Sequence, residues 1–506
     1  MNIKKGAKNI VYSLIGQVIA LGLGIFVPRL IIISYGSEVN GLLTSVSQVI
    51  TYLALLEAGV GTASLQALYK PIASGDRENT NAIMAATSRY FKKTGWLYLF
   101  CIVAISLIYP IFIKTSLDYL FIVTIVLLCG LPNVINYFFQ GKLKIFLSAV
   151  GDNYIVTNLA TVTNILATVA KIVLLSLNVN VLLVQAIYCI ISLLQMLVIY
   201  LYVKKKYGWI DFKVEPDYHS LDKKDSAIIH QICGLVTNST DLFLISIFCD
   251  LNAASIYAVY NMLFIILYNA AYSVNSGLQF LFGEAYNKDK KKYIKVIDAY
   301  ETYYTGLCSV LMLVTYISIL PFLKLYTAGS DINYINMWLP LLFVWVEMLR
   351  AIRNSAMNTI NVSGYFRETT KHAIVESILN LLISIVAVQF LGIIGCLVGT
   401  IVAFFYRDVV SIWYANKKIL QRSVKTSLKI TVGNLLMLTA FMICSHFINL
   451  DMGNYFKLIL TAGLLTLLFG GVFFALNSFM CPDSFRLIFH FIKQKIKRNK
   501  GEENEK

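Results

Sequence analysis

Long apolar stretches, each closed off by a short polar turn, recur along the whole chain. Unbroken hydrophobic runs occupy 10–34, 39–68, 95–113, 118–140, 153–176, 180–203, 227–249, 252–281, 299–323, 334–360, 372–391, 393–415, 427–448 and 454–478. Each run can cross about 30 Å of hydrocarbon as a helix rising about 1.5 Å per residue. The runs are continuous rather than alternating, which predicts helices and not barrel strands. The pattern predicts an all-α integral membrane protein with about fourteen transmembrane helices.

The polar punctuation predicts the domains. The most charged connection, Lys204–Asp225, follows the sixth run and divides two six-helix sets. Sliding the chain by 213 residues lays Leu65-Gln66-Ala67-Leu68 on Leu278-Gln279-Phe280-Leu281, each at the end of the long second helix of a half. An even number of helices per half makes the repeats parallel, related by a pseudo-twofold along the membrane normal. The expected organisation is an N-terminal six-helix bundle (1–203), a basic linker (204–226), a second six-helix bundle (227–415), an appended helix pair (416–480) and a basic tail (481–506).

Within the runs, polar residues fall at helical spacing. In the tenth, Glu347, Arg350, Asn354, Asn358 and Asn361 share one face, with Arg353 beside them, and the opposite face is apolar. The fifth run has Thr157, Thr161, Asn164, Thr168 and Lys171 on one face, and the eighth has Asn261, Tyr268, Tyr272, Asn275 and Gln279. Arg407-Asp408 lies in the twelfth, and Arg29 follows Pro28 in the first. A charge in hydrocarbon costs a few kcal/mol at least, so such stripes should face protein or a wet cavity. Two explanations stand side by side. Glu347 with Arg350, and Arg407 with Asp408 or Glu376, would make structural ion pairs, while the threonines and asparagines glue helices together. Alternatively both halves line a shared polar cavity. The expected cavity residues are Arg29, Asn164, Lys171, Tyr268, Tyr272, Arg350, Arg353, Asn354 and Arg407. Guanidinium forks suit phosphate oxygens, and amides, hydroxyls and tyrosine faces suit sugars. A polyisoprenyl-pyrophosphate-linked oligosaccharide offers both chemistries.

Composition narrows the class further. Of 506 residues, 58% are hydrophobic and only 14% charged, more apolar surface than a soluble chain of this size can hide. The net charge of +16 suggests nucleic acid until its placement is read. Lysines and arginines crowd one set of connections (Lys4, Lys5, Lys8; Lys204–Lys206; Lys290–Lys292; Lys417, Lys418; Lys493–Lys500), and the opposite turns hold only Lys114 and Lys324. That bias predicts both termini in the cytoplasm, contact with anionic membrane lipids and no nucleic-acid partner. Nine cysteines are scattered without a C-x-x-C, and neither H-E-x-x-H nor a phosphate-binding G-x-x-x-x-G-K-[ST] occurs. The outer turns, such as "YGSE" and "NLDMGN", are too short to house catalysis, so no enzyme and no bound cofactor are expected.

The stretch "NIVYSLIGQVIALGLGIFVPRLIIISYGSEVNGLLTSVSQVITYLALLEAGVGTASLQALYKPIA" at 9–73 resembles the oligosaccharide-lipid flippases (Wzx-type polysaccharide transporters) of the multidrug/oligosaccharidyl-lipid/polysaccharide exporter superfamily. It carries a first helix ending in Pro and Arg, a short turn with Gly, and the motif Gly59-Val60-Gly61-Thr62-Ala63 after Glu57. The resemblance runs over almost the whole chain. It implies two bundles in an inverted V, alternating access, and a lumen whose cations meet pyrophosphate or acidic sugars. It also implies a lipid-tail groove at the last helix pair, a bacterial cytoplasmic membrane location and contact with other polysaccharide-assembly proteins. A sodium or proton coupling site is implied between helices 7 and 11, where Asp241, Glu376 and Asn380 match by helix and residue type. A drug exporter of the same superfamily is the rival; it should have an acid-rich lumen and twelve spans. A membrane enzyme of polysaccharide assembly is a more distant one.

Overall fold

The computed structural model describes residues 22–57, 60–218, 225–365, 367–447, 452–487 and 489–490. The first half of the first apolar run, Gly59 of the glycine motif and the end of the basic tail lie outside them. The described residues are helical throughout, without a strand. In chain order the helices are α1 (Phe26–Tyr35), α2 (Ser37–Leu53), α3 (Val60–Ser74), α4 (Arg77–Phe112), α5 (Tyr119–Ile135), α6 (Gly141–Ala149), α7 (Asn153–Ser176) and α8 (Val181–Lys206). There follow α9 (Asp225–Phe248), α10 (Leu251–Lys288), α11 (Lys290–Tyr326), α12 (Leu339–Val362), α13 (Thr370–Leu391), α14 (Ile393–Trp413), α15 (Lys425–Ser445) and α16 (Tyr455–Met480).

Ten helices among the described residues are long and apolar enough to cross a membrane. The chain is a multi-pass membrane protein, as its hydropathy predicts. Helix α12 has the length, at 24 residues, but every membrane-length window in it contains Glu347, Arg350 and Arg353. Side-chain caps start several helices. Asp76 accepts from Asn79 N, Asp118 from Leu120 N, Asn180 from Leu182 N and Asp289 from Lys291 N. Each satisfies an amide the helix cannot pair internally.

The chain forms two compact units, Met1–Ala258 with Gly329–Ile332, and Val259–Ala328 with Asn333–Lys506. The half-repeat starts the second bundle at 227, whereas by contacts α9 belongs with the first unit, where it packs on α2. The core of that unit runs through Leu42, Val46, Tyr98, Ile102, Ile125 and Leu251. In the second unit α13 and α14 make the closest approach. Gly395 and Gly399 on α14 form a G-x-x-x-G stripe. A Cβ at Gly395 would lie 2.2 Å from the Ala387 carbonyl oxygen, and one at Gly399 would lie 2.3 Å from Ser384 Oγ. Small residues let backbones touch where no hydrophobic force between helices drives association. That contact fixes where Glu376 and Asn380 of α13 stand relative to Arg407 and Asp408 of α14.

Candidate functional site

The site grows from the polar face of α12 in the second unit. Its apolar face packs into the unit through Phe343, which stacks on Tyr260 and Phe264. The polar face is buried as well: Glu347 is 1% exposed and Asn358 5%. Each polar group there therefore needs a partner.

Arg353 finds two. Its Nη1 donates to Glu376 Oε1 at 2.6 Å and its Nε to Asp408 Oδ1 at 2.9 Å, with the guanidinium 4.5 Å above the Phe404 ring. Arg407 Nε stands 3.6 Å from the other Glu376 oxygen, and its Nη1 donates to the Thr369 carbonyl at 3.0 Å. Two arginines and two acids thus make a neutral cluster joining α12, α13 and α14. Such clusters fix geometry more than they add stability.

Arg350 is held differently. Its Nη1 lies 3.1 Å from Glu347 Oε1, off the direction of a hydrogen bond, and its buried Nε has no hydrogen-bond partner. The guanidinium lies 5.2 Å from the Tyr268 ring centre and 5.6 Å from that of Phe404. Its side chain keeps 19% of its surface open, against 3% for Arg407.

Below Arg350 the stripe turns to amides and phenols. Asn354 Nδ2 donates to Tyr304 Oη at 3.0 Å and to Tyr268 Oη at 3.3 Å. Asn358 Nδ2 and Tyr300 Oη both donate to Asn275 Oδ1 at 2.6 Å. The tyrosines form two stacks, Tyr268 on Tyr272 with centroids 5.9 Å apart and Tyr300 on Tyr304 at 4.9 Å. A cavity of about 650 Å³ opens against this wall between α10 and α11. Tyr300, Tyr303, Tyr304, Phe282 and Leu278 line it, with Glu284, Lys288 and Lys292 at one end.

The structure therefore brings together Arg350, Arg353, Asn354, Arg407, Tyr268, Tyr272 and Glu376. Asn380 is buried nearby on α13 and donates to Thr400 Oγ1 at 2.9 Å. The remaining expected residues belong to the first unit. Lys171 lies with its ammonium 4.0 Å from the Tyr188 ring centre. Asn164 is exposed on α7, its carbonyl accepting from Thr168 Oγ1 at 2.7 Å, and Arg29 is half-buried on α1. Asp241 is buried on α9 and accepts from Tyr257 Oη at 3.3 Å. Sequence reasoning left out Tyr300, Tyr304 and Phe404. The i,i+4 spacing of the two tyrosines, inside the apolar run 299–323, was a usable signal. Phe404 carried no signal, because only contact with two guanidiniums distinguishes it from other apolar residues.

The second unit of this multi-pass membrane protein thus holds a net-neutral ion cluster and, between α10 and α11, a cavity walled mainly by aromatic and aliphatic side chains. No protein-family model matches the chain, and no curated protein matches it in sequence. Solved structures do. The structure described as lipid II flippase MurJ in an inward closed conformation superposes with a TM-score of 0.70 at 13% identity, over 92% of this chain and 99% of that one. An inward-facing multidrug resistance MATE family transporter of the MOP superfamily gives 0.56 at 14% identity, over 85% of this chain and 98% of that one. A MATE structure in the bent conformation gives 0.50 at 14% identity, over 87% and 97%. The chain has the fold of these MOP-superfamily proteins, the fold its sequence resemblance implied.

Proposed function

We propose that this protein is a flippase that moves a polyprenyl-pyrophosphate-linked oligosaccharide from the cytoplasmic to the outer leaflet by alternating access, for surface polysaccharide assembly. The observation that carries the proposal is the state of Arg350. Arg353 and Arg407 are engaged by Glu376, Asp408 and Thr369 and act as the frame behind the wall. Arg353 also keeps one buried nitrogen, Nη2, without an acceptor, but two acids hold its charge. Arg350 has a buried Nε without an acceptor, only the offset contact with Glu347, and an aromatic face beside hydrogen-bonding amides. A pyrophosphate oxygen supplies that acceptor, and the tyrosine stacks with Asn354 and Asn358 suit sugar rings and hydroxyls. A drug cation would meet a guanidinium here, which disfavours the exporter reading. The fold shared with a lipid II flippase supports the lipid-linked class.

Coupling to sodium or protons at Asp241, Glu376 and Asn380 belongs to the same proposal. A cation reaching Glu376 must first displace the guanidiniums of Arg353 and Arg407.

The test is reconstitution in liposomes with a fluorescent polyprenyl-pyrophosphate oligosaccharide, read by its accessibility to a membrane-impermeant quencher. The protein should accelerate flipping, and Arg350→Ala should slow it by about ten- to a hundredfold, the loss of one charge-assisted hydrogen bond of about 1.5–3 kcal/mol. Flipping no faster than in empty liposomes refutes the function. Wild-type rates in Arg350→Ala refute the role of the arginine.

A further inference from the structure

A second buried acid lies away from this wall. Glu301 on α11 is 4% exposed, at the junction of α11, α12 and the start of α15. Ser427 Oγ of α15 donates to its Oε2 at 3.0 Å, and the Ser355 hydroxyl of α12 reaches the same carboxyl. One turn earlier, Asp298 takes the nearby cation: Arg422 Nη1 donates to its Oδ1 at 2.6 Å. The same guanidinium donates through Nε to Asn416 Oδ1 at 2.6 Å, and Asn416 Nδ2 donates to Ser427 Oγ at 3.1 Å. The chain of donors Arg422–Asn416–Ser427 therefore ends on Glu301 with a neutral hydroxyl. Glu301 forms no ion pair among the described residues.

Other charged or titratable groups close to the junction are accounted for. Lys429 on α15 donates to the Met480 carbonyl at 2.7 Å, and at the end of α16 stands the Cys481 thiol. A buried carboxylate without a cation is costly, and such groups neutralise instead. A neutral acid fits this site, where the hydroxyls of Ser427 and Ser355 meet the carboxyl and no cation among the described residues does.

We propose that Glu301 is a proton-binding site: its neutral carboxyl closes the junction of α11, α12 and α15, and loss of the proton to solvent water leaves a carboxylate that opens it. The site does not depend on the transport reading, and its test uses no transported substrate. The full-length protein in detergent is studied by infrared spectroscopy and thermal unfolding from neutral to alkaline pH. The wild type should show a carboxylic-acid carbonyl band at neutral pH that disappears on alkalinisation and is missing in Glu301→Gln. Its melting midpoint should fall as that band disappears. Glu301→Gln, an isostere of the neutral acid, should melt above the wild type at neutral pH, because the unfolded wild-type chain must take up a proton there to fold, and should lose the alkaline fall. Identical neutral-pH spectra for the two proteins, or parallel pH profiles, overturn the proposal. Should Glu301→Gln fail to accumulate, a glutamate isotope label in the wild type decides. A labelled acid band that titrates together with the melting midpoint and shifts in frequency in Ser427→Ala, which removes the hydroxyl on Glu301, supports the site, and the absence of such a band overturns it.

Discussion

Arg353→Met tests whether the α12–α13–α14 cluster is a frame. In the wild type two cations face two acids, both acids at least nine-tenths buried as side chains. Removing Arg353 leaves Glu376 with Arg407, whose Nε is already 3.6 Å away, but leaves Asp408 without its donor at 2.9 Å. Its other oxygen, Oδ2, has no hydrogen bond to fall back on. The cluster goes from neutral to one uncompensated buried negative charge. Breaking a buried pair from one side costs about 3–5 kcal/mol, most of it the desolvation of the orphaned charge. The second variant, Arg353→Met with Asp408→Asn, restores neutrality, since Glu376 and Arg407 remain as a pair. It should regain at least about 1 kcal/mol of the loss, a coupling in the range found for contacting residues. Equilibrium unfolding in mixed micelles, followed by circular dichroism, measures both. If Arg353→Met lies within about 0.5 kcal/mol of wild type, the range of an ordinary surface substitution, the frame argument is wrong.

Two further outcomes follow from particular contacts. Gly41→Ala sets a Cβ 1.8 Å from the Leu251 carbonyl oxygen, and neither backbone can retreat, so the variant should lose about 3 kcal/mol or more and fail to accumulate in membranes; wild-type yield and melting would contradict the close approach. Asp152 lies between α6 and α7. Burial pushes its carboxyl up, but hydrogen bonds from Lys206, Tyr207 and Tyr202 at 2.6, 2.8 and 3.0 Å outweigh this and hold it below the ordinary value of 3.8. A group lowered in the folded state adds stability that is complete above its unfolded value and is lost as pH falls through the folded one. Asp152→Asn should therefore melt earlier than wild type at neutral pH, and the gap should begin to close only below about pH 4, as the wild-type carboxylate takes up its proton. A constant gap down to low pH would show that the carboxylate charge plays no part.

The fold was largely legible because the bilayer imposes it. Twenty apolar residues in a row have few alternatives to a spanning helix, and charged connections mark where each one stops. The polar stripe of α12 was legible for a similar reason, since 3.6-residue spacing places Glu347, Arg350, Asn354 and Asn358 on one face in any environment. The pairing of Arg407 with Glu376 was readable as one of two options. The structure adds that Asp408, its sequence neighbour, goes to Arg353 instead.

The sequence by itself determined that the chain is driven through lipid many times, which face of each helix is polar, and the residue types available for chemistry. All of these follow from local periodicity and transfer free energy. The tertiary structure decided which charges cancel. Arg350 and Arg353 are three residues apart on one helix and look alike in the sequence. The close approach of α13 and α14 at Gly395 and Gly399 places two carboxylates within reach of one and leaves the other beside an aromatic wall. Glu301 was hidden for the same reason: its burial depends on Ser427, 126 residues away, and no local pattern encodes a contact at that separation.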